Sequence, residues 1–274
     1  MTVAYNPLPR LRQDLFGLAS IPFCQAPKEP YLTDDRQASL AALKDFLYYR
    51  GYAVITGKVG SGKTTLAHHL CQQLPAGKFR VMYATCGDFT AADLLGTLCS
   101  ALDITAVRNK AKTLQAIDQR LSDLGARNPV LVLDEMQLAP RSILDLLRIA
   151  TASTFDQKRR MSIILVGTES FLAQLQLAIN ESLRQRIHSY CCLAPFTADQ
   201  TSAYISHCLQ QAGAHHDIFA EEAIGLLHVL SGGLPRIIDT LALQALSVAS
   251  DAKSQTVSLE HLQQAKASCL LPRS

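Results

Sequence analysis

Residues 57–65 read Gly-Lys-Val-Gly-Ser-Gly-Lys-Thr-Thr. Gly57, Gly62, Lys63 and Thr64 satisfy G-x-x-x-x-G-K-[ST] at every required position. An apolar run, Tyr52-Ala53-Val54-Ile55-Thr56, precedes the stretch, and Leu66, Ala67, Leu70 and Leu74 follow it at helical spacing. Strand, glycine-rich loop and helix in that order let backbone N–H groups wrap a phosphate chain. Side chains would block that approach, which accounts for Gly57, Gly60, Ser61 and Gly62. Val59 and Thr65 belong to the same nucleotide-binding stretch. Lys63 adds a point charge on the outer phosphates, and Thr64 offers a hydroxyl ligand to Mg²⁺. The positive end of the helix dipole adds to both.

A second constellation lies downstream. Val130-Leu131-Val132-Leu133 is an apolar strand that ends in Asp134-Glu135. Carboxylates at the C-terminal end of a parallel strand face the ligand crevice. Asp134 is therefore expected in the Mg²⁺ shell, and Glu135 is expected to orient and polarise water against the γ-phosphate. Ser162-Ile163-Ile164-Leu165-Val166-Gly167 ends beside Thr168, a polar group placed to bond that water or phosphate. In Ser231-Gly232-Gly233-Leu234-Pro235-Arg236 the glycines stop one helix and Pro235 opens the next. Arg236 is then fixed on a first turn, from which it could reach phosphate oxygens. Arg184 and Arg186 precede the last strand. An assembled copy could present either one to its neighbour's nucleotide, and the spacing leaves open which.

The remaining pattern is strands alternating with helices, then helices alone. Strands are expected at 52–56, 79–84, 130–134, 162–167 and 189–193. Helical patterns occupy 34–47, 91–102, 112–124, 140–151 and 169–178, then 198–212, 219–230, 234–250 and 258–267. The fold class is α/β: a P-loop core with a parallel five-stranded sheet between helices, followed by a small all-helical lid. The expected boundaries are a proline-rich irregular segment at 1–30 docking on the core, the nucleotide-binding core at 31–195, and the lid at 196–274.

Composition narrows the class further. The chain has 274 residues, 48% apolar and 18% charged, with a formal charge of +3. Such a mild charge advertises no nucleic-acid protein, so a DNA partner would have to meet a local patch. The eight cysteines show no C-x-x-C spacing and the histidines complete no zinc pattern. Most cysteines lie in apolar segments and read as reduced, buried thiols. Met1–Asp14 holds no apolar stretch of signal-peptide length, and no run of about 18 apolar residues occurs. A cytoplasmic protein that spans no membrane is expected.

Together these residues resemble the AAA+ ATPases, and more narrowly their ExeA-like branch. The resemblance rests on Phe16-Gly17-Leu18, Pro22-Phe23, Gly57–Thr65, Asp134-Glu135-Met136-Gln137, Leu165-Val166-Gly167, Leu183–Ile187 and Gly232–Asp239, in that order. Met136 stands where the branch usually has a small residue. The branch contains secretion-pathway ATPases and stand-alone transposition helpers of the TnsC type, with MuB a more distant relative. The helpers bind ATP, assemble as rings or filaments around duplex DNA, and recruit a transposase to target DNA. The resemblance thus implies a Mg²⁺-dependent ATPase, slow and stimulated by assembly or a partner. It implies a homo-oligomer that binds duplex DNA through the backbone, with a transposase or target-selection protein as partner and hydrolysis driving disassembly. A secretion-type subunit that never touches DNA is the alternative. In such helpers the region after the second strand lines the DNA. Here that is the basic loop Thr105–Thr113, which makes Arg108, Lys110 and Lys112 the candidate phosphate contacts.

Overall fold

The computed structural model describes residues 13–24, 29–87, 90–105, 109–125, 127–152 and 161–269. Its contacts divide the chain into two compact units, Asp34–Ala194 and, together, Met1–Thr33 and Pro195–Ser274.

The Asp34–Ala194 unit is an α/β layer structure. Helix α1 (Asp34–Tyr48) leads into strand β1 (Tyr52–Gly57), and the phosphate loop joins β1 to α2 (Lys63–Gln72). There follow β2 (Phe79–Thr85), α3 (Ala91–Ala101), α4 (Lys110–Asp123), β3 (Asn128–Asp134), α5 (Arg141–Ala152), β4 (Ser162–Val166), α6 (Glu169–Gln176), the short α7 (Glu181–Arg184) and β5 (Ile187–Leu193). The sheet order is β2-β3-β4-β1-β5, and every pairing is parallel. β1, β3 and β4 are buried along their whole length, as continuous apolar runs covered on both faces should be. Thr85 pairs with Asp134, Ile55 with Val166, and Gly57 with Leu193. The C-terminal ends of all five strands therefore meet at one edge. Chain order reverses between β1 and its two neighbours, which opens the crevice where ligands bind in such sheets.

The expected strands and helices are all present, with two local differences. β3 and β5 begin at Asn128 and Ile187, each extended by pairing with its neighbour. Within the stretch 105–113, the chain is helical from Lys110 onward, because Asn109 caps α4 by accepting a hydrogen bond from the Lys112 N–H at 3.1 Å. Lys110 and Lys112 thus stand on the first turn of a helix, both exposed. Arg108 lies outside the described residues.

The second unit is helical: α8 (Ala198–Gln211), α9 (Glu221–Ser231), α10 (Pro235–Asp251) and α11 (Leu259–Cys269). Thr197 and Gln200 form a reciprocal capping box on α8. Gly233 takes φ +71°, and a Cβ there would lie 2.1 Å from the Phe196 carbonyl oxygen. The glycine pair therefore breaks α9 and also lets two backbones touch, with the Phe196 N–H donating to Gly233 O at 2.8 Å.

The N-terminal segment departs from expectation. Its apolar anchors Phe16 and Leu18 belong to the helical unit's own core, with Leu209, Ile218, Leu227, Ile238 and Leu246. The Ala19 and Ser20 N–H groups both donate to Ala212 O. Burial of apolar surface is non-directional, so the sequence showed that these side chains dock but not against which core.

Seven cysteines are free thiols among the described residues. Burial pushes Cys71 and Cys86 up to about 11, so both stay protonated and behave as small hydrophobes. Among the described residues no helix is long and apolar enough to cross a membrane.

Candidate nucleotide-binding site

The phosphate loop closes tightly on itself. Gly57 has φ +152°, and a Cβ there would sit 2.7 Å from Leu193 O and 2.8 Å from Ser61 Oγ. Only glycine lets β1 run into the loop alongside β5. Lys63 is the first residue of α2 and only 7% exposed, and its Nζ donates to Lys58 O at 2.9 Å. The ammonium is thus folded over the loop rather than spread into solvent. Ser61 Oγ is buried and makes no hydrogen bond. A buried polar atom without a partner inside a glycine-lined cradle is what an anion-binding loop should show.

Two side chains and one backbone N–H converge on Asp134, which is 2% exposed at the end of β3. Thr64 Oγ1 donates to Asp134 Oδ2 at 2.8 Å, and the Tyr83 hydroxyl donates to the same oxygen at 2.6 Å. The Glu135 N–H donates to Oδ1 at 2.7 Å. Thr64 and Asp134 are therefore already within one hydrogen bond of each other, as a shared Mg²⁺ shell requires. The donor set is a hydroxyl and a carboxylate, hard oxygen ligands that fit Mg²⁺.

Glu135 follows in the left-handed region, φ 55° and ψ 39°. That conformation is costly for a non-glycine residue and is typical of positions where a side chain must be aimed. Gln137 Nε2 donates to Glu135 Oε2, and Gln137 Oε1 accepts from the Thr168 N–H at 3.1 Å. Gln137 thus ties together Glu135 and Thr168, two groups that the sequence nominated separately. The Thr168 hydroxyl itself pairs with Ser170 Oγ at 2.8 Å. Met136 is fully buried, with Cys86 Sγ 3.7 Å from its sulfur, so its bulk is absorbed by the core.

The structure brings Gly57–Thr65, Asp134, Glu135 and Thr168 to one edge of the sheet. It places Arg184 and Arg186 elsewhere, just before β5 and so at the opposite edge. Arg184 Nη1 donates to Gln176 O and Arg186 Nη1 to Ser182 O. Arg236 lies on the first turn of α10, exposed, in the helical unit. Asp239, one turn on, accepts from the Tyr204 hydroxyl at 2.7 Å, and burial pushes its carboxyl up to about 6.

Two contributors escaped the sequence reading. Arg36, buried on α1, donates from Nη2 to Ser61 O at 3.0 Å and braces the phosphate loop from behind. Tyr83 comes from β2 and stacks on the exposed His68 ring with centroids 4.4 Å apart. Burial, and then its bond to the Asp134 carboxylate, raises the Tyr83 phenol well above its ordinary range. It therefore remains a donor at every physiological pH. Tyr83→Phe deletes one of three bonds that fix Asp134. Nucleotide affinity in Mg²⁺ is expected to fall about 10- to 100-fold, the value of one hydrogen bond to a charged group. Affinity in EDTA should not change. A fluorescent nucleotide titrated under both conditions checks this.

Comparison with known proteins follows from this geometry. Residues 46–175 match the family model described as AAA domain. The fold is the AAA P-loop fold. The chain is similar to general secretion pathway protein A of Aeromonas hydrophila, 32% identical over 241 residues that cover 85% of this chain and 44% of that protein. It therefore spans less than half the length of that curated relative. Among solved structures it is similar to Aeropyrum pernix ORC1 in complex with DNA (TM-score 0.67, 21% identity, 87% of this chain and 66% of that one). It is similar also to Cdc6p of Pyrobaculum aerophilum (TM-score 0.67, 18% identity, 96% and 72%). A third is the RuvB Holliday junction branch migration motor of Thermotoga maritima (TM-score 0.62, 16% identity, 90% and 72%). At these identities the likeness is one of fold.

Proposed function

We propose that this AAA protein is a Mg²⁺-dependent ATPase that assembles with copies of itself on duplex DNA and delivers a transposase to target DNA. The observation that carries the ATPase reading is the meeting of Thr64, Asp134 and Tyr83 beside the Lys63 loop. Gly57, Val59, Gly60, Ser61, Gly62 and Thr65 surround the phosphates, and Lys63 faces the outer ones. Thr64 and Asp134 would hold Mg²⁺, which when bound offsets charge on the β- and γ-phosphates. Glu135 accepts a proton from the attacking water, held in aim by Gln137, while Thr168 closes the same side. Arg236 is assigned to the phosphate oxygens of its own chain's nucleotide, and Arg184 or Arg186 to those of a neighbouring copy. Support for a role in trans is the position of both arginines at the far edge of their own sheet. Lys110 and Lys112, exposed on the first turn of α4, contact DNA phosphates together with Arg108. The DNA reading is consistent with an AAA-fold neighbour solved with DNA. The protein acts in the cytoplasm.

A second reading is favoured by one specific observation, the 32% identity to a secretion-pathway protein. In that reading ATP drives assembly of a secretion complex and DNA plays no part. Linear duplex DNA mixed with the protein, and imaged by electron microscopy, separates the two. The proposal expects continuous coats with a slowly hydrolysed ATP analogue and bare DNA with ADP. Lys110→Glu with Lys112→Glu should remove the coats and spare nucleotide binding. Bare DNA under every nucleotide condition at low salt would favour the secretion reading.

A further inference from the structure

Parallel pairing also collects the N-terminal ends of the strands, at the edge opposite the phosphate loop. A basic residue stands just before three of them: Arg50 before β1, Lys78 before β2 and Arg127 before β3. Hydrogen bonds and ring contacts knit these into one surface with the end of α1. Arg50 Nη2 donates to Gly125 O at 3.3 Å and to Arg127 O at 3.2 Å. The Asn128 N–H donates to Lys78 O at 2.7 Å, and Asn128 Nδ2 donates to Leu47 O. Lys78 Nζ stands 5.9 Å from the centroid of the Tyr48 ring, which packs edge-on against Phe79 at 5.1 Å.

Two features of this surface need a partner. First, Arg50, Lys78 and Arg127 form no ion pair with a described carboxylate, and the nearby Asp103 is already engaged by Arg80 and Arg120. Bonds from Arg50 to carbonyl oxygens fix its guanidinium but leave its charge unmatched. Second, Tyr48 and Tyr49 are 56% and 71% exposed, side by side at the end of α1. An acidic protein segment would satisfy the cations and leave the rings in water. A nucleic-acid strand with unpaired bases satisfies both, because phosphates meet cations while bases stack on aromatic faces.

We propose that Tyr48, Tyr49, Arg50, Lys78 and Arg127 form a binding surface for single-stranded nucleic acid. The three cations track the backbone, and the Tyr49 ring takes an unpaired base. Tyr48, braced by Phe79 and Lys78, sets the ring height beside it. The surface lies at the sheet edge away from the ATP site and uses neither Lys110 nor Lys112, so it stands or falls independently of the proposed duplex contacts.

The test is fluorescence anisotropy of a labelled oligothymidine with the full-length chain in EDTA and without nucleotide. Saturable binding is expected at about 50 mM salt. Its log–log salt slope should lie near −2, from three phosphate contacts at about −0.7 each. Tyr49→Ala should weaken binding about 5- to 100-fold, and Tyr49→Phe should retain it. Lys78→Glu with Arg127→Glu should abolish it. Thermal melting of each variant, expected to match the parent, shows that the fold is intact. Absence of saturable binding by the parent chain would overturn the proposal. So would unchanged binding after either substitution set, because the strand would then sit elsewhere. Binding of polyglutamate with equal strength would also overturn it, since it would point to an acidic protein segment.

Discussion

Lys63→Ala should lower the affinity for Mg²⁺-ATP by at least about 100-fold, a loss of about 2.7 kcal/mol. The size follows from where the ammonium sits. It is buried over the loop, 2.9 Å from Lys58 O, and has little water to give up when phosphates arrive. A charge-assisted bond formed under those conditions is worth roughly twice a neutral one. The phosphates would also lose the only side-chain cation that the loop's own α2 terminus supplies, leaving backbone N–H groups and the helix dipole. Calorimetric titration checks the loss. A melting curve in the absence of nucleotide controls for folding. Retained affinity would mean that the loop does not hold phosphate.

Glu135→Gln should separate binding from chemistry. Turnover is expected to fall about 10²- to 10⁴-fold, the range for loss of a positioned general base, while nucleotide affinity stays within a few-fold of the parent. Glutamine keeps the shape and can still meet Gln137, so the left-handed backbone at this position and the Thr168 link should survive. What disappears is the ability to accept a proton. Steady-state phosphate release and equilibrium binding on the same preparation measure the two effects. If ATP drives assembly and hydrolysis reverses it, the variant should also remain assembled in ATP. If turnover were unchanged, Glu135 would not be the base, and the protein would act as a nucleotide-gated switch.

The parts of this site that were legible in the sequence share one property: their chemistry is local. A phosphate cradle needs glycines and a lysine within nine residues, Gly57 to Thr65, and an apolar strand ending in Asp134-Glu135 is a contiguous signal. The strands were equally legible, because fully buried parallel strands leave continuous apolar runs. The missed contributors act across long sequence separations. Tyr83 meets Asp134 only because β2 pairs with β3 in the register that sets Thr85 against Asp134. Arg36 reaches Ser61 only because α1 packs behind the loop. Neither residue has a periodicity or spacing that marks it. Gln137 stood in plain view within the Asp134–Gln137 block, yet its bridging role required β4 to deliver Thr168 beside it. The start of α4 carries a signal of its own, since Asn109 is a strong N-cap that sets Lys110 and Lys112 on the first helical turn.

The central claim is that Mg²⁺ and a nucleoside triphosphate share the cradle made by Gly57–Thr65 and the carboxylate held by Thr64 and Tyr83. Titration of the native chain with a slowly hydrolysed ATP analogue, once in Mg²⁺ and once in EDTA, tests it most directly. Saturable binding of one nucleotide per chain is predicted, weakened at least about 10-fold in EDTA by loss of an ion worth more than 1.4 kcal/mol to the complex. Absence of saturable binding at millimolar nucleotide, or equal affinity with and without the metal, would contradict it.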